Sequence, residues 1–115
     1  MTLREKQSAF AILVAKLILQ TQKQGYQITL GEAYRSPEEA ARLAKEGKGI
    51  KNSLHTLKLA IDINLFGDGK YLSKNEDHIW FGEWWESQST KDIQCVWGGR
   101  FGDGNHYSVA HGGKK

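Results

Sequence analysis

One cysteine, Cys95, stands among the 115 residues. It excludes an internal disulfide framework, and with no Cys-x-x-Cys pair it argues against a structural zinc cluster built on thiolates. Any metal would have to be held by histidine and carboxylate. Cys95 lies inside the apolar run Ile93–Trp97 and reads as a small buried hydrophobe. Long apolar runs are missing too. The segment Phe10 to Leu19 is broken by Lys16, is too short to span a bilayer, and lacks the small-residue cleavage pattern of a signal peptide. The expectation is a chain made and kept in a cytoplasm, without stable membrane insertion. Clustered charge is equally absent: a formal +3 and a pI near 9.0 are spread along the chain, so nucleic acid is not a required partner, although a polyanionic envelope suits a mildly basic surface. No repeat and no linker interrupts residues 1–115, which read as a single domain and a monomer.

What is present begins with helix signals. Thr2 and Glu5 have capping-box spacing, and Phe10, Leu13, Val14, Leu17 and Ile18 recur at helical intervals until Gly25 offers a stop. Tyr26, Ile28 and Leu30 alternate with polar residues, predicting a half-buried strand that leads into Glu32-Ala33-Tyr34-Arg35. The one proline, Pro37, follows Ser36 and precedes two acids, which predicts a short capped helix through Ala40 and Leu43. Gly47 to Asn52 reads as a loop. From Leu59 to Leu65 the alternation is clean, with Leu59, Ile61, Ile63 and Leu65 on one face and Asp62 on the other. Gly67-Asp68-Gly69 marks a turn, and Ser73 or Asn75 is a candidate cap for a helix carrying Trp80, Phe81, Trp84 and Trp85, read chiefly as core rings. Ile93–Trp97 and Asn105–Val109 read as further strands, with Gly98, Gly99 and Gly102 in the intervening loop, where backbone could approach a ligand. This order predicts an α+β domain whose small, mainly antiparallel sheet has helices on one side and a site on its open face.

Two histidines and one aspartate, His55, Asp62 and His106, supply the donor set of a catalytic zinc: three protein ligands with one position left open. His55 and Asp62 are separated by an odd interval, so a straight strand would point them to opposite faces, and His55 must come from a turn before the strand. Asp103, just before His106, is the candidate acid and base for an activated water, with Glu32 a rival. Arg35, with Arg100 behind it, is the candidate donor for an oxyanion. His78 and His111 compete as ligands but read as exposed bystanders. Asp68, Glu76 and Asp77 read as solvated surface in preference to a second cation site.

Ser53-x-His55-x6-Asp62, followed by Trp97-Gly98-Gly99 and Asp103-x-x-His106, resembles the zinc D-alanyl-D-alanine carboxypeptidase and L-alanyl-D-glutamate endopeptidase family, and in particular its small phage endolysins. Tyr34-Arg35-Ser36, before a Glu-containing helix, extends the likeness over most of the chain. The resemblance implies that His55, Asp62 and His106 bind one Zn2+, that Asp103 is the general base and acid, and that Arg35 and Ser53 meet substrate or oxyanion. Tyr34 and Trp97 are assigned to substrate on the same basis. It further implies a bacteriophage lysis enzyme that cuts the stem peptide of bacterial peptidoglycan between L-alanine and D-glutamate, reaching the wall from the host cytoplasm on release. Where the family pattern has glycine between the first two ligands, this chain has Lys58. The alternatives are a D-alanyl-D-alanine carboxypeptidase and, since hedgehog-type signalling domains resemble the same fold, a zinc-stabilised binding module without catalysis.

Overall fold

The computed structural model describes residues 1–50 and 52–115. Its elements are α1 (Leu3–Lys23), β1 (Gln27–Leu30), α2 (Pro37–Lys45), β2 (Ala60–Gly67), β3 (Lys70–Leu72), α3 (Ile79–Ser87), β4 (Cys95–Trp97) and β5 (His106–Val109). Single 3₁₀ turns at Leu54–Leu57, Asn75–His78 and Gly98–Phe101 connect them. The α+β class agrees with the reading from periodicity. The first two predicted helix starts are present: Thr2 and Glu5 form a reciprocal capping box on α1, and the Ser36 hydroxyl accepts the Glu39 N–H ahead of α2. The expected loop 47–52 includes Lys51, which lies outside the described residues.

The sheet is antiparallel throughout and β2 is its spine. β1 pairs with Ile63–Phe66, β5 with Ala60–Asp62 and β3 with Leu65–Gly67, while β4 extends the sheet beyond β5. β3 is an addition to the expected strands. It arises because Asp68 and Gly69 both take positive φ, 50° and 76°, which turns the chain in a two-residue hairpin.

Leu59, Ile61, Ile63 and Leu65 are all buried, as their alternation requires. Tyr107 pairs with Ile61 across the β2–β5 ladder and so shares its face. Trp85 of α3 meets Tyr107 edge-on at 5.8 Å, and Phe10 of α1 meets Trp85 at 5.9 Å, so both helices pack on that face. Such edge-to-face pairs add about 0.5–1.5 kcal/mol each beyond the area they bury. Asp62, one step along β2, points the other way.

Several local expectations are corrected. Leu30, at the end of the edge strand β1, is exposed, and only Ile28 of that strand packs against the core. The turn before α3 is closed by the Asp77 carboxylate accepting the Lys74 N–H, not by Ser73 or Asn75. His78 is buried, its Nδ1 at 2.9 Å from the Tyr107 hydroxyl, since the 3₁₀ turn Asn75–His78 ahead of α3 sets it against Tyr107 of β5. Trp85 and Trp97 are core, whereas Trp80 is 48% exposed. Cys95 is buried and its thiol is pushed up to about 11 by desolvation, as an inert core residue should be. Among the described residues, no helix is long and apolar enough to cross a membrane.

Candidate metal centre

Asp62 and His106 face each other as direct cross-strand partners of β2 and β5. The third group comes from the 3₁₀ turn. The Ser53 hydroxyl accepts the His55 N–H at 3.1 Å and so starts that turn, while the Ser53 carbonyl accepts both the N–H and the hydroxyl of Thr56. Lys58 then ends the turn in the left-handed conformation, φ 58° and ψ 37°. This reversal resolves the odd interval between His55 and Asp62. It also explains why glycine is the easiest residue at position 58, and why Lys58 keeps the turn at some cost.

His55 is oriented from behind. Its Nδ1 lies 3.0 Å from the Ala33 carbonyl, which can only accept, so Nδ1 carries the proton and Nε2 is left bare towards Asp62. Ala33 is itself pinned, because the segment after β1 continues alongside β2: Asp62 N–H donates to Glu32 O at 2.9 Å and Gly31 N–H to Asp62 O at 2.8 Å. Arg35 N–H closes the frame on the His55 carbonyl at 3.1 Å.

One oxygen of Asp62 lies 3.5 Å from His55 Nε2 and 3.6 Å from His106 Nδ1. Those separations are too long for good hydrogen bonds. They are close to the roughly 3.3–3.4 Å edge of a tetrahedron with ligand distances of about 2.0–2.1 Å. The three ligand atoms lie within 4.8 Å of one another, and theirs is the one such group among the described residues. The imidazole planes meet at 72°. His106 Nε2 is buried without a partner, so all the polar contacts of that ring lie on the side of Nδ1, towards Asp62 and Asp103. Two nitrogen lone pairs and a carboxylate converging on one point fit a divalent cation, and the group could hold one.

The electrostatics agree. Burial works against ionising Asp62, but the two imidazoles in front of it prevail and hold its carboxyl down at about 2. Burial likewise disfavours a charged His55, yet Asp62, the Ala33 carbonyl and Glu32 together raise its pKa. The site is built for positive charge.

Asp103 lies beside this set, its carboxylate 3.9 Å from His106 Nδ1 and its side chain 54% exposed. The two aspartates differ in placement: Asp62 faces both imidazoles, whereas Asp103 borders one and meets water. Arg35 is largely buried and binds Glu32 through Nε and Nη2, which raises its pKa through that hydrogen bond, while its Nη1 lies towards Gly49. Glu32 gives one carboxylate oxygen to Arg35 and does not line the pocket that holds Asp103.

Arg35, Ser53, His55, Asp62, Asp103 and His106 line one pocket of about 260 Å³. Of the other expected contacts, Tyr34 is exposed near the site, its ring 5.5 Å from Lys58 Nζ. The Ser53 hydroxyl serves the turn, as described above. Trp97 is corrected: it is 3% exposed and cannot reach a substrate. Its indole N–H donates to Gly104 O at 2.7 Å, and its ring sits in a slot between Gly82 and Gly99, where a Cβ on either would stand 2.1 Å from it. Gly99 therefore approaches the Trp97 ring, Gly98 packs against the Asp103 carbonyl and His106, and the tryptophan buttresses the loop that carries Asp103 and His106. Arg100 pairs with Glu86, away from the ligand set. His111 is half-buried beside Lys6, and neither it nor His78 joins the cluster. Asp68, Glu76 and Asp77 border a separate cleft of about 690 Å³ with Tyr26 and Trp80, and they form no metal-type group. Residues that sequence reasoning missed are Ala33, whose carbonyl orients His55 through the backbone alone, and Lys114 and Lys115, which line the site pocket. Compared with protein-family models and with curated protein sequences, the chain matches none.

Proposed function

We propose that this chain is a zinc metallopeptidase that hydrolyses the L-alanyl-D-glutamate bond of peptidoglycan stem peptides, as a phage endolysin acting on the bacterial cell wall. The observation that carries the reading is the convergence of His55 Nε2 and His106 Nδ1 on Asp62, with the second carboxylate, Asp103, set just outside that trio. Zinc bound by the three side chains supplies Lewis-acid chemistry. Asp103, accessible to water and uncommitted to the ligand trio, takes the proton of the attacking water and returns it to the leaving amine. Arg35, held by Glu32 at the pocket wall with Nη1 outside that pair, would supply positive charge for the oxygen that becomes negative in the tetrahedral intermediate. The Ala33 carbonyl holds the proton on His55 Nδ1, which leaves Nε2 as the atom that would meet the metal.

Digestion of purified peptidoglycan by the zinc-loaded protein, read by mass spectrometry, should reveal new amino termini on D-glutamate, and a chelator should stop their appearance. Release of D-alanine alone would make the enzyme a carboxypeptidase. No bond cleavage would leave a zinc-stabilised binding module. Asp103→Asn should retain metal and lose roughly a hundred- to ten-thousand-fold in kcat, whereas His106→Ala should lose both metal and turnover.

A further inference from the structure

The segment from Ala110 onwards has the composition of a solvated tail, yet it is folded. His111 N–H donates to Lys114 O at 3.1 Å and Lys114 N–H donates to His111 O at 3.0 Å, closing a turn over Gly112-Gly113. Both glycines have positive φ, 57° and 79°, which a tight two-residue turn demands and glycine takes without steric cost. The turn is fastened on two sides. Ala110 N–H donates to Gln94 O at 3.0 Å, and His111 Nδ1 lies 3.2 Å from Lys6 Nζ on α1.

This turn returns the chain to the metal centre, so that Lys114 and Lys115 line the same pocket as Lys48 and Arg35. Arg35 is committed to Glu32. No salt bridge among the described residues engages Lys48, Lys114 or Lys115. A pocket whose own carboxylates serve metal binding and proton transfer thus carries three further cations with no internal partner.

We propose that the 111–114 turn and Lys48 form an anion subsite that selects substrates bearing a free carboxylate beside the scissile bond, an inference that rests on the peptidase reading above. In a peptide that continues through the γ-carbonyl of D-glutamate, the α-carboxylate is left free one residue past the cut, and it is the group such a subsite would take. The substrate class is therefore an acidic peptide, with the α-amidated form disfavoured.

The test uses two synthetic stem peptides that differ only in D-glutamate or D-isoglutamine after L-alanine, with the intact zinc-loaded protein. The wild type should prefer the acid by about tenfold in kcat/KM, the scale of one charge-assisted contact. Lys114→Gln with Lys115→Gln should cleave the two peptides at the same kcat/KM, with the change mainly in KM, and Gly113→Val, which opens the turn, should do likewise. Equal cleavage of both peptides by the wild type overturns the subsite and leaves the peptidase reading intact. If neither peptide is cleaved, that reading fails, and calorimetry of the D-glutamyl and D-isoglutaminyl product peptides decides the subsite separately: tighter binding of the acid that disappears in the lysine variant supports it, and equal binding overturns it.

Discussion

Lys58 sits where a left-handed residue must stand for His55 and Asp62 to face one another. A lysine tolerates this conformation at a cost of about 1–2 kcal/mol, a β-branched residue tolerates it badly, and glycine takes it freely. Lys58→Val should therefore lower stability by about 1–2 kcal/mol in chemical denaturation and weaken metal binding, while Lys58→Gly should weaken neither. The departure from the family-like pattern falls at a conformational position, not at a ligand. Its ammonium also finds the Tyr34 ring at 5.5 Å, a contact glycine would lack.

At the scale of elements, the Asp103–His106 loop is held by a tryptophan wedged between two glycines. Gly82→Ala would put a Cβ 2.1 Å from the Trp97 ring, and the ring has Gly99 on its other side, so it cannot retreat. A loss of about 3 kcal/mol is expected from such overpacking, read by thermal or urea unfolding, with poorer metal retention because the loop moves with the ring. This arrangement was only half legible in the sequence. Alternation along β2 showed Asp62 on the face opposite Ile61, and the turn before it was required by the odd spacing from His55. The slot around Trp97 was not legible, because a glycine that accommodates a distant ring looks the same in sequence as one that accommodates a ligand. The burial of His78 is illegible for a similar reason: a position beside Asp77 in a stretch read as helix suggests exposure, whereas the partner that buries it, Tyr107, is remote in sequence. The hairpin strand β3 is short and polar, and periodicity has little to grip in three residues.

At the scale of the whole molecule, a metal held at this trio would compete with protons for the same side chains. The metal-free protein should gain stability from Asp62 above its unfolded value of 3.8, and lose it as pH falls towards about 2. Burial depresses the pKa of His78 despite the opposing charge of Asp77, so its contribution is complete above 6.5 and declines as pH falls towards the lower folded value. His55 has the opposite sign: its raised folded pKa adds stability below 6.5 that is lost as pH rises through that raised value, and the same protonation opposes metal uptake in acid. Zinc at a hundredfold excess over its Kd should raise Tm by about 10 °C or more, and the gain should shrink as pH is lowered below that raised value. Calorimetric melts with and without chelator across pH check both parts.

The pairing of Asp62 with His106 has one more consequence. A slip of a single residue between β2 and β5 would send one of the two side chains to the opposite face, among Tyr107 and the tryptophans, and the donor trio would cease to exist. Capture of a cation would therefore act as a gauge of strand alignment, since only a correctly zipped sheet brings the three donors together. Chains that pair out of step would gain nothing from a metal, so an ion held by this trio would also favour the properly paired copies.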